Sequence, residues 1–340
     1  MRAASVQRVK AEIPPDPFHE RRVVSLRRRM RLLGGDFSFE CGNLELARLV
    51  DQAYQGLPAH KLPGVTPRFR ISLALAPREL PQLRGDPPRI EMLSGAGFLC
   101  GTAGISSFAA ISPDSRSALV VVSREMLAFP YHTRYELLEF AVFTLASRAQ
   151  GLIPLHAASV GCQGRGLVLL GDSGAGKTTT SLHCLLRGLD FVSEDSAFVT
   201  PDTLLITGVA NFLHIRRDTL RLIPPSVAAD IRHSAVIRRR SGVEKLEIDL
   251  RTRRYRLATR PLKLSAVVFA SAETARNGQL LTPLRPREAV ARFRASQPYA
   301  ANQPGWPRFR QRLDTTAAFE LRRGAHPAET AEVLQLLLTR

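Results

Sequence analysis

The chain has 340 residues, of which 44% are hydrophobic, and its 48 lysines and arginines outnumber 30 acidic residues to give a formal charge of +18. It contains no run of about 18 apolar residues, and its arginine-rich start has no apolar segment, so neither a transmembrane helix nor a signal peptide is expected. Four scattered cysteines without a CxxC pair indicate neither a zinc site nor a disulfide framework, and we expect a cytoplasmic protein without membrane contact.

The first half of the chain indicates a basic arm followed by a small domain. Residues 1–32 hold PPDP and then Arg27-Arg28-Arg29, which predicts a basic N-terminal arm or a first strand with a solvated charged face. Aromatic residues do not alternate with these arginines, so nucleic acid is not the expected partner.

Residues 33–150 predict an N-terminal α+β domain of unknown role. The glycine-rich residues 94–104 predict a turn between strands, because no GxGxxG or GK follows that would favour a nucleotide loop. The other predicted elements are a helix at Leu44–Tyr54, strands at Phe69–Ala76 and Ala118–Ser123, and a helix at Thr133–Ala149.

Residues 151–340 predict an α/β domain. Gly166–Leu170 is an apolar run typical of a buried strand, Lys177–Leu186 is a helix that ends at Arg187-Gly188, and Leu189–Val199 is the next strand. This order of strand, loop, helix and strand favours a largely parallel sheet. The later predicted elements are two strands within Ala235–Leu257 around Ser241-Gly242, a strand at Ser265–Ala270, a helix at Arg287–Arg294, a strand at Ala317–Leu321 and a helix at Ala328–Leu338.

The segment between the first strand and helix of this domain matches GxxxxGK[ST] without a mismatch. Glycines there allow positive φ, successive N–H groups form an anion-binding concavity, and the helix N-terminus favours phosphate. Lys177 is expected to reach the β and γ oxygens of ATP, and the Thr178 hydroxyl to hold Mg²⁺. The predicted nucleotide-binding residues are Gly171, Asp172, Ser173, Gly174, Ala175, Gly176, Lys177, Thr178 and Thr179.

Two acids and one histidine are further candidates. Glu194 and Asp195 follow Lys177 by 17 and 18 residues, at the end of the next predicted strand. There an acid can ligate Mg²⁺ or take a proton from an attacking hydroxyl, although one of the pair can also cap a turn and face solvent. Because adjacent side chains of a strand point to opposite sides, only one is expected to face the phosphates. His156 lies 21 residues before Lys177, and a structural role is the commoner one for a lone histidine beside an apolar strand.

The order and spacing of these features resemble one known family. His156, GRGLVLLGDSGAGKTT, the helix ending at Arg187-Gly188 and FVSED resemble the catalytic domain of HPr kinase/phosphorylase and its relatives, which have a histidine, a GDSGxGKS loop and two acids at the same intervals. The resemblance spans His156–Val199. It implies an α/β P-loop kinase domain of the HPr kinase and phosphoenolpyruvate carboxykinase-like type with a mixed sheet, in addition to the N-terminal α+β domain.

The resemblance also implies roles for the residues. The family phosphorylates a serine hydroxyl with ATP and Mg²⁺, so Lys177 corresponds to the residue that binds the transferring phosphoryl group and Asp195 to the general base. His156 corresponds to a residue that lines the site and assists. Glu194, where the family has an aspartate, corresponds together with Thr178 to the metal-binding groups.

The chain departs from the family at its second signature, E-[IL]-R-G. The nearest stretch is His214-Ile215-Arg216-Arg217, with histidine in place of glutamate and no glycine. The resemblance is therefore to divergent members, some of which phosphorylate a serine of a peptide in lasso-peptide clusters and others small hydroxyl compounds. The resemblance implies a hydroxyl substrate on a peptide, a protein or a small molecule. It leaves open whether the chain forms a homo-oligomer. The basic residues 214–221 and 238–256 suit an anionic substrate, whereas Arg238-Arg239-Arg240 equally fits a solvated hairpin face.

The leading hypothesis is an ATP-dependent serine kinase in which positioning and charge neutralisation supply most of the catalysis. The alternative from another class is a nucleotide-binding sensor or scaffold that transfers no phosphoryl group. Nucleic-acid binding through the arginines is the weaker third hypothesis, and it predicts binding that falls steeply with salt.

Overall fold

A computed structural model describes residues 26–76, 86–251 and 254–339. The first 25 residues of the predicted arm therefore lie outside the described residues, as do two residues of the predicted basic segment 238–256. In the part of the chain that the structure describes, no helix is long and apolar enough to cross a membrane.

The strands are β1 Leu26–Leu32, β2 Gly35–Cys41, β3 Arg68–Leu75, β4 Ile90–Gly95, β5 Phe98–Ala103, β6 Ser107–Ser112, β7 Ser117–Val122, β8 Ile153–Leu155, β9 Ala158–Cys162, β10 Arg165–Leu170, β11 Asp190–Ser193, β12 Ala197–Val199, β13 Leu205–Gly208, β14 Phe212–Ile215, β15 Ala235–Arg238, β16 Glu244–Asp249, β17 Leu262–Thr274, β18 Leu281–Pro283 and β19 Ala317–Arg323. The helices are α1 Leu44–Tyr54, α2 Arg124–Leu127, α3 Pro130–His132, α4 Glu139–Gln150, α5 Lys177–Leu186, α6 Pro225–Ile231, α7 Pro286–Ser296, α8 Pro298–Ala301, α9 Trp306–Leu313 and α10 Pro327–Thr339, with a π-helix at Thr133–Leu138 and a 3-10 helix at Arg217–Leu222.

The first half is built on a mixed seven-stranded sheet in the order β1-β2-β3-β7-β6-β5-β4. Arg27, Arg28 and Arg29, predicted to lie in an arm or a first strand, are in β1 and pair antiparallel with β2. Helix α1 begins where it was predicted because the side chain of Asn43 accepts hydrogen bonds from the first-turn N–H groups. Its apolar side and that of α4 pack on the sheet to form one core.

The second half has a nine-stranded sheet with the main order β11-β9-β10-β17-β13-β12-β8, which β19 and β18 extend, and a small sheet of β14, β16 and β15. β10 is buried on both faces. Leu167 and Leu169 face a core shared with α5 and α10, whereas Val168 and Leu170 face a core shared with α7 and α9. Both faces of β10 are covered, so the strand holds the segment that follows it firmly.

The predicted largely parallel sheet is wrong. β17 is parallel to both β10 and β19, but the other pairings are antiparallel. The reason is a tight hairpin at Gln163 and Gly164, both with positive φ, which folds β9 back against β10. Strand β11, which follows α5, therefore pairs with β9 and not with β10. The result is a mixed α/β protein with mixed sheets.

Two predicted elements are each divided in two. The strand expected over Leu189–Val199 is β11 and β12, with Glu194, Asp195 and Ser196 between them. The two short strands pair with different neighbours, because the chain leaves the β9 edge and joins β8. The helix expected over Thr133–Ala149 begins as the π-helix and continues as α4, and π-helical turns occur frequently at functional sites.

Candidate functional site

The predicted phosphate loop lies between the end of β10 and the start of α5. Gly171, Gly174 and Gly176 have φ values of 142°, 85° and 96°, which other residues adopt only with strain. A Cβ on Gly171 would lie 2.6 Å from the backbone oxygen of Ala270 in β17, whereas a Cβ on Gly174 would meet nothing within 4 Å. The loop conformation therefore needs its glycines, and needs Gly171 most.

The start of α5 suits an anion. Gly176 caps the helix without a side chain, so the N–H groups of Lys177, Thr178 and Thr179 have no acceptor within the helix. The positive end of the helix dipole points the same way. The side chain of Ser173 at the tip of the loop is exposed, so this end of the helix can be reached from solvent. These features suit the binding of an anionic group such as a phosphate.

Lys177 is buried at the base of the loop, where its Nζ donates to the carbonyl oxygens of Gly171 at 2.5 Å and Asp172 at 3.3 Å. Burial lowers the pKa of Lys177, and the charges of Asp195, Asp172 and Glu194 offset part of that effect. Both acids of the Glu194-Asp195 pair thus lie near the lysine. The expectation that only one of them faces the phosphates rests on strand alternation, which does not apply here because both acids lie in the break between β11 and β12.

Thr178 and Glu194 form a unit suited to a divalent cation. The Thr178 hydroxyl donates to Glu194 Oε1 at 3.1 Å, which leaves the hydroxyl lone pairs for a metal. Glu194 Oε2 accepts from the backbone N–H and from Nδ1 of His214, at 3.0 Å and 2.5 Å. Among the described residues, no cluster of three or more His, Cys, Asp and Glu side chains is arranged to hold a metal. Thr178 and Glu194 are thus the groups here that could hold a cation such as Mg²⁺, which takes most of its ligands from phosphate and water.

His214, which stands where the resembling family has a glutamate, is the centre of a buried charged chain. Its Nε2 lies 3.2 Å from Glu247 Oε1 and 3.1 Å from the Tyr135 hydroxyl, and Arg134 donates to both oxygens of Glu247 at 2.9 and 2.8 Å. Burial alone lowers the pKa of His214, but Glu194 and Glu247 raise it to about 9. The ring is therefore a cation at neutral pH, and both of its N–H groups donate to carboxylates.

Asp195 lies at the open side of the site, with 33% of its side chain exposed and its Oδ2 3.2 Å from Arg239. Burial by itself raises the pKa of Asp195, but the charges of Arg239 and His156 lower it below its ordinary value. Nδ1 of His156 donates to the backbone oxygen of Asp195 at 3.2 Å, and Gln297 bonds both backbone groups of His156. The predicted histidine and acid are therefore in contact.

Several neighbours of the site were not predicted individually from the sequence. Arg323, at the end of β19, donates to the backbone oxygen of Gly174 at 2.5 Å. Burial and the charge of Arg239 lower the pKa of Lys245 in β16, and the nearby Glu194 and Asp195 offset part of that effect. Arg134 and Glu247 were also missed. Arg323, Lys245 and Glu247 reach the site through the pairing of distant strands, and Arg134 reaches it from the π-helix of the first half. Arg239 and Lys245 lie within the basic residues 238–256 that were expected to suit an anionic substrate, and Arg239 contacts Asp195 instead of lying on a solvated face.

A cavity of about 180 Å³ opens beside Glu194, Asp195 and Arg239. Its opposite wall comes from the first half of the chain, from the π-helix and α4. Both halves of the protein therefore contribute to the site.

No family model matches the chain, and no curated protein sequence matches it either. One solved structure that is similar to it is the HPr(Ser) kinase/phosphatase from Coxiella burnetii. The match covers 55% of this chain and 88% of that chain, at 11% sequence identity and a TM-score of 0.29. A likeness this low carries no argument about function, which must come from the residues of the site.

Proposed function

We propose that the chain is an ATP-dependent phosphotransferase that transfers the terminal phosphoryl group of ATP to a hydroxyl, as a divergent HPr-kinase-like serine kinase. The observation that carries the proposal is the loop Gly171–Thr178, which matches GxxxxGK[ST] and lies between a buried strand and a helix N-terminus. The contact of Thr178 with Glu194 supports it, because an acid behind a P-loop hydroxyl is what a Mg²⁺-dependent site needs.

Each group has a physical role in this proposal. The loop N–H groups and Lys177 bind the phosphate oxygens, and Arg239, Lys245 and Arg323 add positive charge around them. Thr178 would hold Mg²⁺ while its hydroxyl donates a hydrogen bond to Glu194, and the metal would neutralise part of the phosphate charge. His214 holds Glu194 in place.

Asp195 is the proposed general base. Among the described residues its recorded side-chain partner is Arg239, on Oδ2, so its other oxygen is open to an acceptor hydroxyl. Asp195 would accept the proton in its carboxylate form, which the charges of Arg239 and His156 favour although burial opposes it. His156 fixes the backbone of Asp195 and lies at the same side of the site.

The test is binding and transfer with purified protein, Mg²⁺ and γ-labelled ATP, with hydroxyl acceptors supplied as small alcohols, peptides and a cell extract. Lys177→Ala is expected to weaken ATP binding, whereas the matched Lys263→Ala, at an exposed lysine of β17, is not. Asp195→Asn is expected to keep ATP binding and to lower transfer by about 10²- to 10⁴-fold, the usual contribution of a general base.

Two outcomes would change the proposal. If Lys177→Ala and Lys263→Ala bound ATP equally well, the loop would not be the nucleotide site. If the wild-type protein bound ATP but labelled no acceptor, the alternative of a nucleotide-binding sensor would replace the kinase.

A further inference from the structure

The cavity beside Asp195 has aromatic walls. Tyr131 and Tyr135 of the first half line it together with Phe143 of α4, and Phe212 of β14 closes another side. Its volume of about 180 Å³ is well below the roughly 300–1,000 Å³ typical of sites for drug-sized ligands. An engineered cavity of roughly 150 Å³ in another protein holds one benzene molecule, so this one accommodates a compound of similar size.

Glu139 gives the cavity a polar wall that the proposed transfer reaction does not use. Its side chain is buried, and its Oε1 accepts a hydrogen bond from Asn211 Nδ2 at 3.3 Å. Burial raises the pKa of Glu139 to about 7, whereas Asn211 and the charge of Arg134 offset only part of that effect. A ligand that donates a hydrogen bond or carries a positive charge would satisfy this carboxyl group.

The other charges that line the cavity are already paired. Glu194 bonds His214 and Asp195 bonds Arg239, so these four groups roughly cancel. Among the described residues, the side chain of Glu139 accepts its hydrogen bond from the neutral amide of Asn211. The net charge of the cavity lining therefore disfavours an anionic ligand and favours an ammonium group. The surrounding aromatic rings also attract such a group.

We propose that this cavity is the acceptor site, and that the acceptor is a small alcohol carrying an amino group, whose hydroxyl meets Asp195 and whose amino group meets Glu139. This rests on the proposed phosphotransferase function. The acceptor oxygen bonds to the γ-phosphorus of ATP, and the bond from that phosphorus to the β–γ bridging oxygen breaks with its electron pair remaining on ADP. The hydroxyl proton passes to Asp195.

The experiment compares three alcohols of nearly equal size as acceptors: ethanolamine, 1-propanol and glycolate, which are cationic, neutral and anionic. Labelled product is measured with the full chain, Mg²⁺ and γ-labelled ATP, and ATP affinity is measured separately by calorimetry. Ethanolamine is expected to exceed both others at least tenfold in kcat/KM. Glu139→Gln, which keeps the size and the acceptor oxygen for Asn211, is expected to raise the KM for ethanolamine at least tenfold and to abolish its preference over 1-propanol.

Glu136→Gln is the matched control, since Glu136 lies in the same helical segment but pairs with Arg240 outside the cavity. Preference for glycolate, or a preference for ethanolamine that survives Glu139→Gln, overturns the acceptor site. So does phosphorylation of the peptide acetyl-Ala-Ser-Ala-amide alone, or ATP binding with none of the alcohols phosphorylated. Failure of the wild-type chain to bind ATP at all instead removes the proposed function on which the inference rests.

Discussion

Replacing Gly171 or Gly174 by alanine distinguishes two effects on the stability of the protein: backbone strain at positive φ and steric contact of the new Cβ. Both glycines have positive φ, which in a residue with a Cβ costs on the order of 1–3 kcal/mol. At Gly171 the new Cβ would also meet the backbone oxygen of Ala270 at 2.6 Å, so β10 and β17 must move apart, at a further cost of about 1–3 kcal/mol. At Gly174 the Cβ enters open space. We therefore expect Gly171→Ala to lose about 1–3 kcal/mol more stability than Gly174→Ala.

Urea unfolding of the two variants and the wild-type chain measures this difference. The gain from restricting the unfolded chain is the same for both Gly→Ala changes, so it cancels between them. A lower midpoint for Gly171→Ala with an unchanged slope is the expected result. Equal losses for the two variants would show that the contact with Ala270 does not constrain the loop.

Three further changes test other parts of the molecule. Thr178→Val removes the hydroxyl that contacts Glu194. ATP binding measured by calorimetry is therefore expected to weaken about tenfold in the presence of Mg²⁺ but not in the presence of EDTA. Equal weakening under both conditions would exclude a role of Thr178 in metal binding. Arg134→Met removes one of the two cations that pair with the buried Glu247, and His214 is the other. Because Arg134 and Glu247 are only 5% and 8% exposed, the change is expected to cost up to about 3–5 kcal/mol in urea unfolding. Adding Glu247→Gln should recover part of the loss, and no recovery would refute the pairing. Burial lowers the pKa of His60 below 6.5, so its contribution is present above pH 6.5 and is lost as pH falls through the folded-state pKa. The difference in unfolding free energy between wild type and His60→Gln is therefore expected to shrink from pH 7 to pH 5, and a constant difference would contradict a buried neutral ring.

The sequence was sufficient where the determinants are local. Helix α1 is bounded by the side-chain cap at Asn43, and α5 ends at Arg187 with Gly188 in a positive-φ conformation, so both helices have their predicted bounds. The phosphate loop is a contiguous pattern with a strand before it and a helix after it. For these elements the residues that decide the conformation are neighbours in the chain.

Elements decided by long-range pairing could not be predicted. The hairpin at Gln163 and Gly164 inserts β9 between β10 and β11, and no periodicity in β11 shows which strand it will join. The contact of Asp195 with Arg239 joins residues 44 positions apart, and that of Arg134 with Glu247 joins residues 113 apart. Patterns within a single element carry no information about such partners.

His214 shows how a substitution within a resembling pattern can mislead when it is taken alone. Histidine in place of glutamate suggests a lost metal-binding charge. In the structure the ring instead lies between Glu194 and Glu247 and bonds both. His214 therefore places a ring between two carboxylates behind the loop, an arrangement that only the tertiary contacts reveal.

The contacts between the two halves bear on how this protein can be divided. α4 ends at Gln150 and is capped by Gly151, so this position resembles a domain boundary. Yet Phe198 and Val209 belong to the core of the first half, and the partner of Glu247 is Arg134. A fragment beginning near residue 151 would expose this apolar surface and would leave Glu247 without Arg134. The two large sheets share no strands, but we expect the two halves to be stable only when they are expressed together.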